Sequence, residues 1–143
     1  MGLSTVAGSG VRRETKELVF SDFPMSFAKS PVSGDLTKIT NSGSVRQSIR
    51  NLILTNTFER PFQNQRIGGN IRKYLFELVN PLTGFAIART IEDTILNSEP
   101  RAQVVNVSVN ANEDTNSYSA TVVFRTVNQP KIETLSVILE KVR

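Results

Sequence analysis

Two short stretches of this sequence place an acid, a base and a proline side by side. One is Glu99-Pro100-Arg101, and the other is Glu59-Arg60-Pro61. A carboxylate next to a guanidinium can form a bidentate ion pair, either within the chain or with a partner protein. Proline fixes its own φ angle, so neighbouring side chains project in defined directions at little entropic cost. Both stretches are therefore candidates for protein recognition or for ion pairs that tie loops together.

Paired carboxylates raise a second chemistry, the hydrolysis of a glycosidic bond by one acid and one base or nucleophile. The candidates are Glu59, Glu77, Glu92, Asp93 and Glu99. Such a pair needs a cleft in which burial raises the pKa of one member. Here Glu59 and Glu99 each lie close to an arginine, which lowers the pKa of a carboxyl group. We therefore expect no catalytic residues, and a glycoside hydrolase is kept as the alternative function.

The composition of the 143-residue chain removes several other chemistries. It contains no cysteine and no histidine, which excludes disulfides, thiol catalysis, histidine-based triads and ordinary zinc sites. Gly68-Gly69 is not a phosphate-binding loop, because the Lys-Ser/Thr pair that such a loop needs does not follow it. We therefore expect no cofactor and no metal.

The net charge of +4 is spread along the chain. Residues 1–50 contain seven Lys and Arg against four Asp and Glu, and residues 51–101 contain six against five. Residues 102–143 contain four of each. Nucleic-acid binding needs a concentrated basic face with interleaved aromatic residues. A basic nucleic-acid-binding module is therefore the weaker alternative, and we expect no direct contact with nucleic acid. We also expect no contact with a membrane, because no apolar run approaches the roughly 18 residues of a membrane span.

Three helices are predicted within the first hundred residues. The first opens with a capping box formed by Ser44 and Gln47. The second runs from about residue 70 to residue 78, and the third starts at Asn80-Pro81 and is ended by Pro100. Periodic apolar residues predict the buried face of each helix: Val45, Ile49, Leu52 and Ile53 in the first, Ile71, Tyr74, Leu75 and Leu78 in the second, and Phe85, Ile87, Ala88, Ile91 and Ile95 in the third.

Strand patterns flank these helices. An extended segment over residues 18–27 is predicted to place aromatic side chains in the core, and residues 36–40 form a short strand. Beyond Pro100, alternating apolar residues predict three strands, beginning with Val105, Val107 and Val109. The order predicts an α+β fold, with about three helices packed on one face of a mainly antiparallel sheet and a C-terminal β-meander. We expect a flexible N-terminal arm over residues 1–15 and a single domain over residues 16–143.

The two charged motifs receive different interpretations. For Glu59 and Arg60, an ion pair within the loop is the simpler hypothesis. Glu99, Pro100 and Arg101 stand where a helix gives way to a strand, and such turns are usually exposed. We interpret these three as partner-binding residues, with the planar fork of Arg101 capturing a carboxylate on another protein.

In their order along the chain, these motifs resemble those of the small baseplate wedge proteins of contractile phage tails. This family, also called sheath initiators and historically labelled lysozyme-like, has relatives in the type VI secretion baseplate. The resemblance covers about residues 20–140 and rests on four features: an extended segment ending in Phe27, a first helix leading to Glu59-Arg60-Pro61, the segment "GGNIRKYLFE", and a helix ending in Glu99-Pro100-Arg101 before Val-rich strands. Phe58 departs from the pattern, since the family usually has Gly before Glu-Arg.

The resemblance implies a structural component of a tail baseplate, without enzymatic activity or cofactor. The family's historical label keeps a lysozyme-like peptidoglycan hydrolase as the alternative function. In the family, the Glu-Pro-Arg motif docks the protein onto the core bundle of helices in each wedge, and strand edges of the domain start the first ring of tail sheath. Two partners are therefore implied, the baseplate wedge core-bundle proteins and the tail sheath protein, with six copies of the chain around the tail axis. The implied location is the virion tail baseplate, after synthesis in the host cytoplasm.

Overall fold

The computed structural model describes residues 19–59 and 67–140 of the chain. In chain order the elements are β1 (Ser21–Asp22), β2 (Ile39–Thr40), α1 (Ser42–Leu54), α2 (Ile71–Tyr74), α3 (Pro81–Ser98), β3 (Ala102–Asn112), β4 (Ser117–Thr126) and β5 (Ile132–Glu140). Three helices and antiparallel strands confirm the predicted α+β fold. The expected arm over residues 1–15 lies outside the described residues. Within the described ranges, no helix is both long enough and apolar enough to cross a membrane.

The C-terminal strands form the predicted meander, in the order β3-β4-β5 with antiparallel neighbours. β1 and β2 pair separately as a small two-stranded sheet. The inward side chains of β4 and β5 alternate with exposed ones and are buried in one core: Tyr118, Ala120, Val122, Phe124, Leu135, Val137 and Leu139. The period of two in the sequence thus predicts correctly which face of these two strands is buried.

β3 departs from the predicted alternation at Val105. Val104 pairs with Phe124 and Asn106 pairs with Val123, so Val105 is the extra residue of a β-bulge. Val104 packs against the core, whereas Val105 is exposed. The predicted alternation, which puts Val105 on the same face as Val107 and Val109, is wrong for Val105, because this residue is the one inserted at the bulge.

Helix α1 begins at Ser42, ahead of the predicted capping box. Ser44 therefore lies within the first turn, where its buried hydroxyl has no hydrogen-bond partner among the described residues. The side chain of Gln47 donates to the carbonyl oxygen of Phe23 (2.8 Å) and accepts from the amide of Met25 (3.2 Å). The capping-box prediction is wrong, because Gln47 binds the preceding segment and not the start of its own helix.

The segment before α1 lies mostly at the surface. Phe20 packs against the core, but Phe23, Met25 and Phe27 are exposed. The prediction that these side chains enter the core is wrong for the last three. The backbone of Phe23 and that of Met25 are bound to Gln47, which lies about half a turn around α1 from the buried residues of that helix. The predicted inner face of α1 is confirmed by the burial of Val45, Ile49, Leu52 and Ile53.

Helix α2 is a single turn and is shorter than predicted. Ile71 and Leu75 are buried as expected, but Leu78 is exposed. The carbonyl oxygen of Leu78 accepts a hydrogen bond from the hydroxyl of Tyr118 (3.4 Å), outside any helical pattern. Asn80, the residue before Pro81, is extended as proline requires, so the predicted second helix could not have continued into α3.

The buried stripe of α3 is narrower than predicted. Ile87, Ile91 and Ile95 are fully buried, and Ala88 is half-buried. Phe85 is exposed, because it precedes Ile87 by two residues and therefore lies about 200° around the helix from it. The three isoleucines therefore set the inner face, and Phe85 lies on the outer face.

The start of α3 at Asn80 gives a test of the local fold. Oδ1 of Asn80 accepts a hydrogen bond from the backbone N–H of Thr83 (2.7 Å). We expect Asn80→Ala to lower the free energy of unfolding by about 1 kcal/mol, because this donor loses its acceptor. Chemical denaturation measures the change, and Asn80→Asp, which keeps an acceptor oxygen, is the matched control. Equal stabilities for the Ala and Asp variants would contradict the cap.

Candidate functional site

The Glu-Pro-Arg turn, residues 99–101, connects α3 to β3. The backbone N–H of Ala102 donates to the carbonyl oxygen of Glu99 (3.1 Å), which closes the turn. The carbonyl oxygen of Arg101 accepts from the N–H of Val127 (3.0 Å), just beyond β4. Backbone hydrogen bonds therefore fix the turn both to itself and to the sheet.

The carboxylate of Glu99 is buried inside this turn and binds two side chains. The side chain of Glu99 is only 4% exposed. Arg101 donates to it twice, from Nε to Oε1 at 2.6 Å and from Nη2 to Oε2 at 2.8 Å. The hydroxyl of Ser48, on α1, donates to Oε2 as well. The carboxylate thus joins α1 to the connection between α3 and the sheet.

The protonation of this pair follows from its contacts. Burial raises the pKa of Glu99, but the hydrogen bonds from Arg101 and Ser48 outweigh it and hold the pKa below its ordinary value of 4.5. The hydrogen bond to Glu99 raises the pKa of Arg101, burial opposes this rise, and the charges of Glu99 and Asp22 add to it. Both groups are therefore charged at neutral pH, so Glu99 cannot serve there as a general acid.

Arg101 lies between the core and the solvent, with 31% of its side chain exposed. Its guanidinium carbon is 5.5 Å from the centroid of the Phe20 ring, a cation–π contact. Nη1 donates no hydrogen bond to any residue in the described part of the chain. A groove of about 460 Å³ opens beside the turn, and it is lined by Asp22, Ser48, Asn51, Leu52, Ile67, Ser98, Glu99, Pro100 and Arg101.

These contacts correct part of the sequence interpretation. The expectation that both charges of the turn are exposed is wrong for Glu99, and the Nε–Nη2 edge of Arg101 holds this carboxylate. The reason is effective concentration, since an acceptor two residues away in a closed turn outcompetes one on a separate protein. Pro100 is exposed, as a partner contact requires. The assignment of Glu99, Pro100 and Arg101 as partner-binding residues stays a prediction.

The second charged motif is described only in part. Glu59 accepts hydrogen bonds from the backbone N–H of Asn56 (2.9 Å) and from its side-chain amide (2.7 Å), and these bonds lower the pKa of Glu59. Its ion-pair partner in the described ranges is Arg72, at 3.9 Å, and both side chains are exposed. Arg60 lies outside the described residues, so the loop ion pair between Glu59 and Arg60 stays a prediction.

Sequence reasoning missed Ser48 as a member of the site. This serine stands between Arg46 and Arg50 in a helix, where the pattern indicates a solvated position. Its partner Glu99 lies 51 residues away along the chain. No local signal connects two such residues, because only the packing of α1 against the turn brings them together.

Comparison with known proteins relates this chain to a family. The sequence profile of the family described as baseplate wedge protein gp25 matches residues 40–131, more than half of the chain. Baseplate wedge protein gp25 of Enterobacteria phage T4 is 32% identical over 75 residues, which covers 52% of this chain and 56% of that protein. The chain therefore spans little more than half the length of the curated relative that it matches.

Three solved structures share the fold. A protein from Geobacter sulfurreducens with the provisional name of tail lysozyme matches with a TM-score of 0.62 and 19% identity, over 69% of this chain and 89% of that one. A chain of the anti-feeding prophage baseplate matches with a TM-score of 0.57 and 20% identity, over 87% of this chain and 88% of that one. A chain of the baseplate complex from the type VI secretion system matches with a TM-score of 0.55 and 16% identity, over 66% of this chain and 88% of that one.

The buried carboxylate should make stability depend on pH in the acid range. The folded-state pKa of Glu99 lies below the ordinary 4.5, so its stabilising contribution is complete above that pH and is lost as the pH falls through the folded pKa. Thermal melts should show a steeper loss of stability on acidification below about pH 5 in the wild type than in Glu99→Gln. Ser48→Ala, which keeps the ion pair, should fall between them.

The same melts give a second expectation at neutral pH. Glu99→Gln should be less stable there by about 1–3 kcal/mol, because Arg101 loses a charged acceptor in a buried position. Parallel stability curves for the wild type and Glu99→Gln across the acid range would contradict the depressed pKa of this group.

Proposed function

Since the chain belongs to the baseplate wedge protein gp25 family and is a structural component of a contractile tail baseplate, we propose that it joins two parts of that baseplate. The Glu-Pro-Arg turn docks onto the core bundle of helices in the wedge, and an edge strand of the sheet starts tail-sheath assembly. Residues 16–143 act as one domain, in six copies within the virion tail baseplate. The docking step rests on one observation, the bidentate bond from Arg101 to a buried carboxylate beside an open groove.

The buried carboxylate prepares Arg101 for a partner. A free surface arginine loses side-chain entropy when another protein immobilises it, and this loss opposes binding. Here two hydrogen bonds to Glu99 and the ring of Phe20 already hold the guanidinium. Its remaining donors and the exposed ring of Pro100 are therefore presented to a partner in a fixed arrangement.

The groove also indicates what the docking partner offers. Ile67 supplies apolar surface, Asn51 supplies an amide, and Arg101 supplies a positive charge. A helix of the core bundle that presents a hydrogen-bond acceptor next to a small apolar side chain fits this combination. The acceptor is a carboxylate or a backbone carbonyl, since guanidinium groups bind both.

β5 is the strand that we propose for pairing with the sheath protein. It pairs with β4 along its whole length without a register shift, and its other edge faces no strand of the described sheet. A regular exposed edge offers backbone donors and acceptors to a strand of another chain. β3 is the less suitable edge, because it carries the bulge at Val105 and packs against α3.

The proposed role includes no catalytic step. Glu59 and Glu99, two of the candidate carboxylates, have lowered pKa values, whereas a general acid needs a raised one. In the part of the chain that the structure describes, no group of three or more Asp, Glu, His or Cys residues could hold a metal ion. The name tail lysozyme belongs to the Geobacter protein, and the likeness at 19% identity concerns the fold alone.

Docking through the turn can be tested with Arg101→Lys. Lysine keeps the charge but cannot bond both carboxylate oxygens in one plane, so it neither holds Glu99 nor presents a fixed cation. We expect binding to co-expressed core-bundle proteins to weaken by about 1–3 kcal/mol, the cost of leaving buried hydrogen-bonding groups unpaired, because the charge itself is kept. Co-purification, expressed per folded molecule from the melting curve, measures the effect.

The matched control for this substitution is Arg125→Lys. Arg125 is also an arginine bonded to a neighbouring side chain, through its Nε to Gln103 at 2.6 Å, but it lies on the exposed face of the sheet. This variant should bind the core bundle like the wild type. If Arg101→Lys binds normally once folding is accounted for, the Glu-Pro-Arg turn serves the fold and not docking.

Strand pairing at β5 is better tested by hydrogen exchange than by deletion. β5 supplies Leu135, Val137 and Leu139 to the core, so removing it should unfold the domain. We expect amides in residues 132–140 to become slower to exchange when the chain assembles with the sheath protein, because outward N–H groups gain acceptors. The amides of β4, already paired on both sides, are the internal control. Protection that appears only in β3 would show that the wrong edge has been chosen.

A further inference from the structure

The outer face of α3 carries a repeat that neither docking nor sheath assembly uses. Leu82, Phe85, Arg89, Glu92 and Leu96 follow one another at intervals of three, four, three and four residues. This is the spacing of the a and d positions of a coiled coil. The exposed fractions of the three apolar members are 79% for Leu82, 72% for Phe85 and 59% for Leu96. These five residues are called the outer stripe of α3.

The outer stripe lies opposite the buried stripe of the same helix. Ile87, Ile91 and Ile95 are fully buried, and Phe85 lies about 200° around the helix from the first of them. A helix that packs on one side only usually presents polar residues to solvent. Large apolar side chains on both sides are typical of a helix that is covered from both sides.

An ion pair occupies the middle of the outer stripe. Nη1 of Arg89 lies 3.7 Å from Oε2 of Glu92, and both side chains are solvent-exposed. An exposed pair of this kind contributes only about 0.3–0.5 kcal/mol to the fold of its own chain. Its position between Phe85 and Leu96 is more informative. The four stripe residues from Phe85 to Leu96 are therefore two charged residues of opposite sign with one apolar residue on each side.

We propose that in the free protein, before six copies are arranged around the tail axis, the outer stripe pairs with the outer stripe of a second copy of this chain, with the two α3 helices antiparallel about a two-fold axis. In this register Phe85 packs against Leu96 of the second copy, and Arg89 faces Glu92 of the second copy. The axis repeats each of these contacts. The four central positions of each helix are therefore all matched, two by apolar contact and two by charge.

The order of the charges favours a second copy of α3 as the partner helix and favours its antiparallel orientation. A parallel pair of α3 helices would place Arg89 against Arg89 and Glu92 against Glu92, and like charges across an interface are unfavourable. The antiparallel pair opposes unlike charges and also sets the helix dipoles in the favourable direction. A foreign helix would have to supply an acid and a base at this same spacing, which the chain's own stripe already has.

Space for the second helix exists beside the stripe. A groove of about 360 Å³ lies along the surface where α3 meets β3, with Phe85 and Glu92 on one wall and Val107 and Val109 on the other. Side chains on the flank of the second α3 fit there. Because the contact between two helices of 18 residues is smaller than a standard protein interface, we expect a weak dimer that forms at micromolar concentrations.

Charge reversal on the full chain, measured by sedimentation equilibrium, tests the proposal. Arg89→Glu makes both central positions acidic, and Glu92→Arg makes both basic. Each variant alone should dimerise at least about tenfold more weakly than the wild type, because like charges then face each other across the axis. An equimolar mixture of the two variants should restore dimerisation to about the wild-type level, because the acidic stripe then faces the basic one.

Folding and the apolar layer are checked in parallel. Both charged side chains are exposed, so thermal melts of the two variants should resemble the wild type. Phe85→Glu, at an exposed position, should also prevent dimerisation by placing a charge opposite Leu96. A wild type that stays monomeric at every concentration, a charge variant that dimerises as tightly as the wild type, or a mixture that stays monomeric would each overturn the proposal.

Discussion

The buried carboxylate of Glu99 is the interaction on which the arrangement of this domain depends. A carboxylate removed from water is tolerated only when hydrogen bonds and an opposite charge replace its hydration. Arg101 supplies the charge and two bonds, and Ser48 on α1 supplies a third. Because the backbone of Arg101 is bonded to Val127 beyond β4, one carboxylate holds a helix, a turn and the sheet in a single relative position.

This arrangement divides the work of the Glu-Pro-Arg turn between its residues. Glu99 faces inward and serves the fold, whereas Pro100 and the outer side of Arg101 face the solvent beside the groove. In the proposed docking, the acid acts on the partner only through the arginine that it holds. Stability and recognition are then coupled at this turn, and so each variant has to be measured for both.

The remaining exposed features lie on other elements of the domain. β5 offers a regular strand edge at one side of the sheet, and α3 offers an apolar outer stripe around an ion pair. The proposed wedge, sheath and self contacts use a turn, a strand edge and a helix face respectively. Because the three contacts use different residues on different elements, the loss of one contact by substitution need not disturb the others, and the three proposals can fail independently.

The sequence by itself determined the elements whose signals are local. Asn80 and Pro81 mark the start of α3, isoleucines four residues apart mark its inner face, and strict alternation marks the buried sides of β4 and β5. These signals are read correctly because helix capping and side-chain period depend on neighbours within a few residues. The same local order, taken as a set along the chain, carried the resemblance to the baseplate wedge family.

Only the tertiary structure decided what depends on distant contacts. The burial of Glu99 requires Ser48, 51 residues away, so the sequence indicated an exposed turn where a carboxylate is enclosed. The bulge at Val105 is a property of the pairing with β4, and the exposure of Phe23 follows from its backbone bond to Gln47 on α1. In each case the residue type was compatible with two positions, and the choice was made by the packing of elements that are far apart in the chain.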